Sequence, residues 1–161
     1  MGKINNKFSQ IKLLISDFDG VMTDNRVLVS EDKKESVFCN RGDGLGIEML
    51  KNKGIDMIVI SKEKNKVVQA RCKKLKIKCL QGIENKYSLT LGEIKKRGLK
   101  PKNICYIGND TPDIECIKNV GIGVAVNDSH ESVLKVADYV TTKKGGEGAI
   151  REVIDLILKK K

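Results

Sequence analysis

Short apolar runs rich in β-branched residues alternate with stretches of helical periodicity along this chain. No other feature limits the fold as strongly. The runs fall at 12–16, 56–60, 76–80, 104–107, 121–126 and 138–140. Helical patterns lie between them at 43–53, 64–75, 86–97, 112–119 and 129–136. A last pattern, Ala149, Ile150, Val153, Ile154 and Ile157, has the spacing of a helix buried on one side. Strand–helix alternation of this kind predicts an α/β protein, a Rossmann-like doubly wound parallel sheet with helices on both faces. Ligands of such sheets bind beyond the C-terminal strand ends, where the strand order reverses.

One segment breaks the alternation. RVLVSEDKKESVF, residues 26–38, has two short apolar runs around a polar turn and reads as a β-hairpin. A lone two-stranded hairpin is marginal in water, so its apolar face is expected to pack on a neighbouring subunit. The span between Asp24 and Ser61 is too short for a separate cap domain with its own core. The expected organisation is a single domain, 1–161, with a hairpin insertion at 25–39. At 161 residues such a domain can bury a sizeable core without staples.

Composition narrows the function. The net charge of +10 is mostly lysine scattered along the chain, and none of the six aromatics (3 Tyr, 3 Phe, no Trp) is interleaved with a basic run. That argues against nucleic acid as a partner and leaves the charge free to steer a small anion. Five cysteines without a CxxC pair read as reduced thiols. No apolar run approaches the roughly 18 residues of a membrane span. MGKINNKFSQ lacks a signal-peptide core, and Asn6 stands where a lipidation signal after Gly2 would have Ser or Thr. A cytoplasmic protein without membrane contact is therefore expected.

Four motifs follow strand-like runs. In Asp17-Phe18-Asp19-Gly20, period-two alternation lets both carboxylates point to one side. One can act as a nucleophile while the other handles protons. Ser61 ends the next run, and its hydroxyl with the N–H of Lys62 can hold a phosphate oxygen. Lys86 opens a helix, an unfavourable place for a cation unless it neutralises a phosphate and a carboxylate. In IGNDTPD, Asn109, Asp110 and Asp113 offer the hard oxygen ligands that suit Mg²⁺.

Together these motifs resemble the haloacid dehalogenase superfamily of phosphatases. DFDGVMTD is similar to its first motif, the strand ending VIS to its second, ENK to its lysine motif and IGNDTPD to its fourth. RGDGLGIEML, ARCKKLKI, QGIENK, ADYVT and GGEGAIREV extend the likeness to the capless branch. That branch holds 3-deoxy-D-manno-octulosonate 8-phosphate phosphatase and the nonulosonate (acylneuraminate) 9-phosphate phosphatases. The resemblance implies that Asp17 attacks phosphorus and that Asp19 protonates the leaving oxygen and then activates water. It implies Mg²⁺ held by Asp17, the Asp19 carbonyl and Asn109, with Asp110 or Asp113 in support. Ser61, Lys62 and Lys86 would hold the phosphate. Asp19, Arg41, Gly42, Asp43, Gly44 and Arg71 would meet the substrate, and Gly145, Gly146 and Arg151 would lie near an active site. It also implies a homotetramer.

The chain departs from the pattern at three places. Asn109 stands where Asp is commoner, Glu48 where octulosonate enzymes carry Arg, and Ser61-Lys62-Glu63 where they carry TGR. SKEKN instead resembles phosphatase segments associated with acylneuraminate cytidylyltransferases. A non-catalytic sugar-phosphate-binding or regulatory homologue associated with such an enzyme is the alternative expectation.

Overall fold

A computed structural model describes residues 7–159. Gly2 and Asn6, read above for a lipidation signal, lie outside the described residues. Six strands form one parallel sheet: β1 (Leu13–Ser16), β4 (Asp56–Ile60), β5 (Lys78–Leu80), β6 (Ile104–Gly108), β7 (Ile122–Ala125) and β8 (Tyr139–Val140). Their order across the sheet is β5-β4-β1-β6-β7-β8. The chain thus runs outward from β1 through β4 and β5, then crosses back to β6 on the other side of β1. The reversal falls between β1 and β6, which is the switch point where such folds bind ligands.

Alternation along each strand divides the core between the two faces. Leu14, Met57, Val59, Cys105 and Ile107 face one way, under α1 (Arg41–Asn52), α2 (Lys66–Leu75) and α6 (Ala149–Leu158). Leu13, Ile15, Ile58, Ile60, Ile104 and Tyr106 face the other. There they meet Ile94 of α3 (Lys86–Lys96), Cys116 and Ile117 of α4 (Ile114–Asn119) and Val133 of α5 (Glu131–Leu134). Near-continuous apolar strands are what a sheet buried on both faces requires. The helices α1, α2 and α3 start on asparagine side chains: Asn40, Asn65 and Asn85 accept from Gly42 N, Val67 N and Ser88 N.

Register aligns the strand ends that matter. Ser16 of β1 pairs with Val59 of β4 and Ile107 of β6. Asp17, Ser61 and Asn109 therefore leave the sheet along one edge. Asp17 N still donates to the Ile107 carbonyl at 2.9 Å, so the nucleophile candidate is held by the ladder itself.

The hairpin is present as β2 (Leu28–Val29) antiparallel to β3 (Glu35–Ser36), apart from the main sheet. Leu28, Val29 and Phe38 are 68%, 61% and 76% exposed, so these three apolar side chains lack cover among the described residues, while Val37 packs on the core. Among the described residues no helix is long and apolar enough to cross a membrane.

Candidate active site

The turn after β1 sets the geometry. Gly20 takes φ +77, and a side chain there would run into the Asn109 amide. Thr23 Oγ1 accepts from Gly20 N and Asn25 N and closes the turn. Asp24 accepts from the Arg26 backbone and guanidinium, which fixes the chain as it leaves the turn. A second segment presses on this turn. Gly146 N donates to the Val21 carbonyl, and a Cβ on Gly145 would come within 2.0 Å of the Gly20 carbonyl oxygen.

Asp17 is 8% exposed, and its Oδ1 accepts from Phe18 N at 2.7 Å and from Lys86 Nζ at 2.8 Å. Lys86, 3% exposed, reaches Asp113 Oδ1 at the same distance. The unfavourable helix-start lysine is thus an ammonium buried between two carboxylates. Burial alone would pull its pKa down, but Asp17 and Asp113 outweigh that and leave it above the ordinary lysine value. Asp113 is fully buried and saturated. Tyr106 Oη also donates to its Oδ1, while Asn109 N and Asp110 N donate to its Oδ2. It serves as the bracket that holds Lys86 and the 109–110 loop together, with no lone pair turned to the cleft.

Two carboxylates sharing one ammonium leave a buried negative charge. Burial, followed by the charge of Asp113, pushes the Asp17 carboxyl up to about 7 against the pull of Lys86. Its other oxygen, Oδ2, lies 3.2 Å from the Asn109 amide oxygen, which itself lies 3.0 Å from the Asp19 carbonyl oxygen. The Asn109 amide thus stands between two acceptors: with its nitrogen toward them it donates to both, and with its oxygen toward them three oxygens converge. Separations near 3.0 Å are those of adjacent oxygens around an octahedral ion with bonds of about 2.1 Å, the geometry of Mg²⁺. The residues fit that ion: one carboxylate, one carbonyl and one amide, leaving room for substrate oxygens. Turning the amide over would also relieve the contact, by making it a double donor.

Asp19 stands at the border between two chambers. The first, about 150 Å³, is lined by Asp17, Asp19, Asn25, Ser61, Lys62, Glu63, Lys86, Asn109 and Asp110 with Pro112. Ser61 is buried, its Oγ accepting from Glu63 N, which leaves its proton free for an anion. Lys62 is half-exposed and paired loosely with Glu84 at 3.3 Å. Asp110 lines the chamber but turns Oδ1 to the N–H of Thr111. The second chamber, about 230 Å³, opens from Asp19 toward the hairpin and the start of α2. Asp19 Oδ2 is buried with no hydrogen-bond partner among the described residues. Burial raises its pKa, and the charges of Glu63 and Glu35 add to that against Lys86.

Neither chamber is lined by Arg41, Gly42, Asp43, Gly44 or Arg71. Arg41 is exposed; Asp43 is buried and accepts from the Arg151 backbone, tying α1 to α6. Arg71 Nη2 donates to the Asn40 carbonyl, and Arg151 pairs with Asp155. Within one chain Asp43 and Arg71 tie neighbouring segments together, and none of these residues lines the chamber that holds Asp17. Gly145 and Gly146, by contrast, do border the site, from beneath its turn. Residues that sequence reasoning passed over are Tyr106, hidden in an apolar strand, and Asn25, Glu35 and Asn65, which wall the second chamber.

An aspartate pair at the switch point, a buried lysine and an oxygen cradle define a phosphoryl-transfer site of the haloacid dehalogenase type. A profile described as haloacid dehalogenase-like hydrolase matches residues 81–154. The chain is 39% identical over 153 residues to the Escherichia coli K12 3-deoxy-D-manno-octulosonate 8-phosphate phosphatase KdsC, covering 94% of this chain and 81% of that one. The octulosonate phosphatase of Moraxella catarrhalis was solved with magnesium ion, phosphate ion and KDO. It superposes with TM-score 0.97 at 36% identity, covering 100% of this chain and 93% of that one. The Yersinia pestis enzyme gives 0.95 at 36%, covering 98% and 85%. The chain belongs to the haloacid dehalogenase-like hydrolases. Within them it stands among the KdsC-type phosphatases, capless enzymes that hydrolyse phosphoric monoesters.

Proposed function

We propose that this enzyme is a Mg²⁺-dependent phosphatase acting on the terminal phosphate of a 2-keto-3-deoxy sugar acid, an octulosonate 8-phosphate or a nonulosonate 9-phosphate. The observation that carries the reading is Asp17. Its Oδ1 is held by Lys86 and its Oδ2 faces the Asn109 amide, with Asp19 Oδ2, which has no partner among the described residues, lining the same cleft.

The phosphoryl group sits in the smaller chamber against Ser61, the Lys62 N–H and Lys86. Mg²⁺, held by Asp17, the Asp19 carbonyl and Asn109 with Asp110 alongside, supplies the positive charge that lets an anionic nucleophile approach an anionic ester. An Asp17 oxygen bonds to phosphorus as the ester P–O bond breaks, and Asp19 passes its proton to the departing sugar oxygen. The raised pKa of Asp19 keeps that proton available. Asp19, now ionised, takes a proton from water, whose oxygen attacks phosphorus and frees Asp17 and inorganic phosphate. Throughout, Lys86 balances the charge near Asp17 and Asp113 holds Lys86 in place.

The same reading takes 1–161 as one domain with 25–39 as an insertion, in a cytoplasmic homotetramer whose hairpins cover one another. Arg41 to Gly44 and Arg71, remote from the chambers of their own chain, are offered as contacts to substrate at a neighbouring protomer. The test is phosphate release from octulosonate 8-phosphate and nonulosonate 9-phosphates with Mg²⁺. Wild type should release phosphate from at least one of these and Asp17→Asn from none; equal release by both proteins would overturn the mechanism.

A further inference from the structure

The second chamber carries an unexpected charge for an enzyme of sugar acids. Its lining holds three carboxylates, Asp19, Glu35 and Glu63, against one cation, Arg26, together with Asn25 and Asn65. Arg26 is already engaged, its Nε and Nη2 donating to Asp24 Oδ2 at 2.9 and 2.7 Å. Glu35 is fixed: Asn65 Nδ2 donates to its Oε2 at 2.6 Å while Asn65 Oδ1 caps α2 through Val67 N. The hairpin is thereby tied to the start of α2, and one Glu35 oxygen stays free. Glu63 has no side-chain partner among the described ion pairs and hydrogen bonds, and it borders both chambers. Valines 27, 37, 67 and 68 supply the apolar part of the lining.

We infer that Glu35 and Glu63 are specificity-determining residues that accept hydrogen bonds from hydroxyl or N–H groups on the sugar carbons next to the scissile ester, and that they exclude a carboxylate from this chamber. The inference rests on the phosphatase reading and refines its substrate. An octulosonate or nonulosonate keeps its carboxylate carbon about seven or eight carbon–carbon bonds along the chain from the ester carbon. The hydroxylated carbons occupy the chamber, and the acid group lies beyond it. A shorter sugar acid would bring its carboxylate against Glu35 and Glu63, where like charges in a partly desolvated cleft repel.

A matched pair tests this: sorbitol 6-phosphate and 6-phosphogluconate differ only in a terminal hydroxymethyl against a carboxylate. Binding is measured by titration calorimetry with Mg²⁺ on the full chain carrying Asp17→Asn, which reads the preference without turnover. Sorbitol 6-phosphate is expected to bind at least about tenfold more tightly. Adding Glu35→Gln and Glu63→Gln should shrink the ratio to within about threefold, and Glu63→Arg should reverse it. Glu63 is exposed and Glu35 half-buried outside the core clusters, where glutamine keeps an oxygen to accept from Asn65, and circular dichroism checks that the fold is intact. Equal binding of the two ligands, a ratio unchanged in the glutamine variant, or binding of neither ligand would overturn the inference. Failure of the phosphatase reading shows separately, as absence of phosphate release by wild type.

Discussion

Asn109→Asp separates the cation-cradle account from a purely hydrogen-bonded one. The substitution places a second carboxylate 3.2 Å from Asp17 Oδ2 in a site where both residues are 8% exposed. At an effective dielectric constant of about 20, two full charges at that distance repel by about 5 kcal/mol. Proton uptake by the pair lowers the net loss to about 2 kcal/mol. For a chain of this size that is a fall in Tm of about 4–8 °C in EDTA. With Mg²⁺ the sign reverses, because the added charge becomes a ligand. A tenfold gain in affinity returns about 1.4 kcal/mol at saturating ion. Differential scanning fluorimetry across a Mg²⁺ titration reads both halves. The variant should melt below wild type in EDTA and gain more from Mg²⁺ than wild type does. Equal melting in EDTA, together with equal Mg²⁺ shifts, would refute the reasoning.

Three further outcomes are expected. Asp43 is buried with Oδ2 unpartnered among the described residues, and burial pushes its pKa up to about 6 despite the Arg151 N–H and the charges of Arg71 and Arg151. The folded state therefore binds this proton more tightly than the unfolded one, and stability falls as pH rises from about 4 to 6. Asp43→Asn should flatten that limb in denaturant melts and stabilise the protein at pH 8 by up to about 2 kcal/mol; a variant less stable than wild type at pH 8 would contradict it. Gly145→Ala drives a methyl into the Gly20 carbonyl and should cost at least about tenfold in kcat through displacement of the Asp19 carbonyl, beyond any fall in Tm. Phe38→Glu with Leu28→Lys should shift light scattering from oligomer to monomer, since both side chains are exposed apolar surface within one chain.

What could be read from the sequence followed from periodicity and from local anomalies. Each apolar run ending in a polar cluster marked a strand end, and parallel register then carried Asp17, Ser61 and Asn109 to one edge. Lys86 was legible because a lysine at a helix start is electrostatically misplaced; the structure shows its two carboxylate partners. Tyr106 was not legible, since in an apolar strand its ring reads as core and only the fold turns its hydroxyl to Asp113. Glu35 was hidden for a different reason: the hairpin folds it onto Asn65, a contact between segments that share no local pattern. Arg71 and the 41–44 turn show the converse limit. Their likeness implies substrate contact, and within one chain the α1–α6 packing turns Asp43 inward and leaves Arg71 on the Asn40 carbonyl, so that contact is offered only at a neighbouring protomer.

The central claim is that Asp17 carries the phosphoryl group between the two half-reactions. Borohydride quenching during turnover of a sugar-acid phosphate with Mg²⁺ reduces an acyl phosphate to the alcohol, so digestion and mass spectrometry should find homoserine at position 17. Steady phosphate release with Asp17 recovered only as aspartate under the same quench, or homoserine at Asp19 instead, would contradict the account.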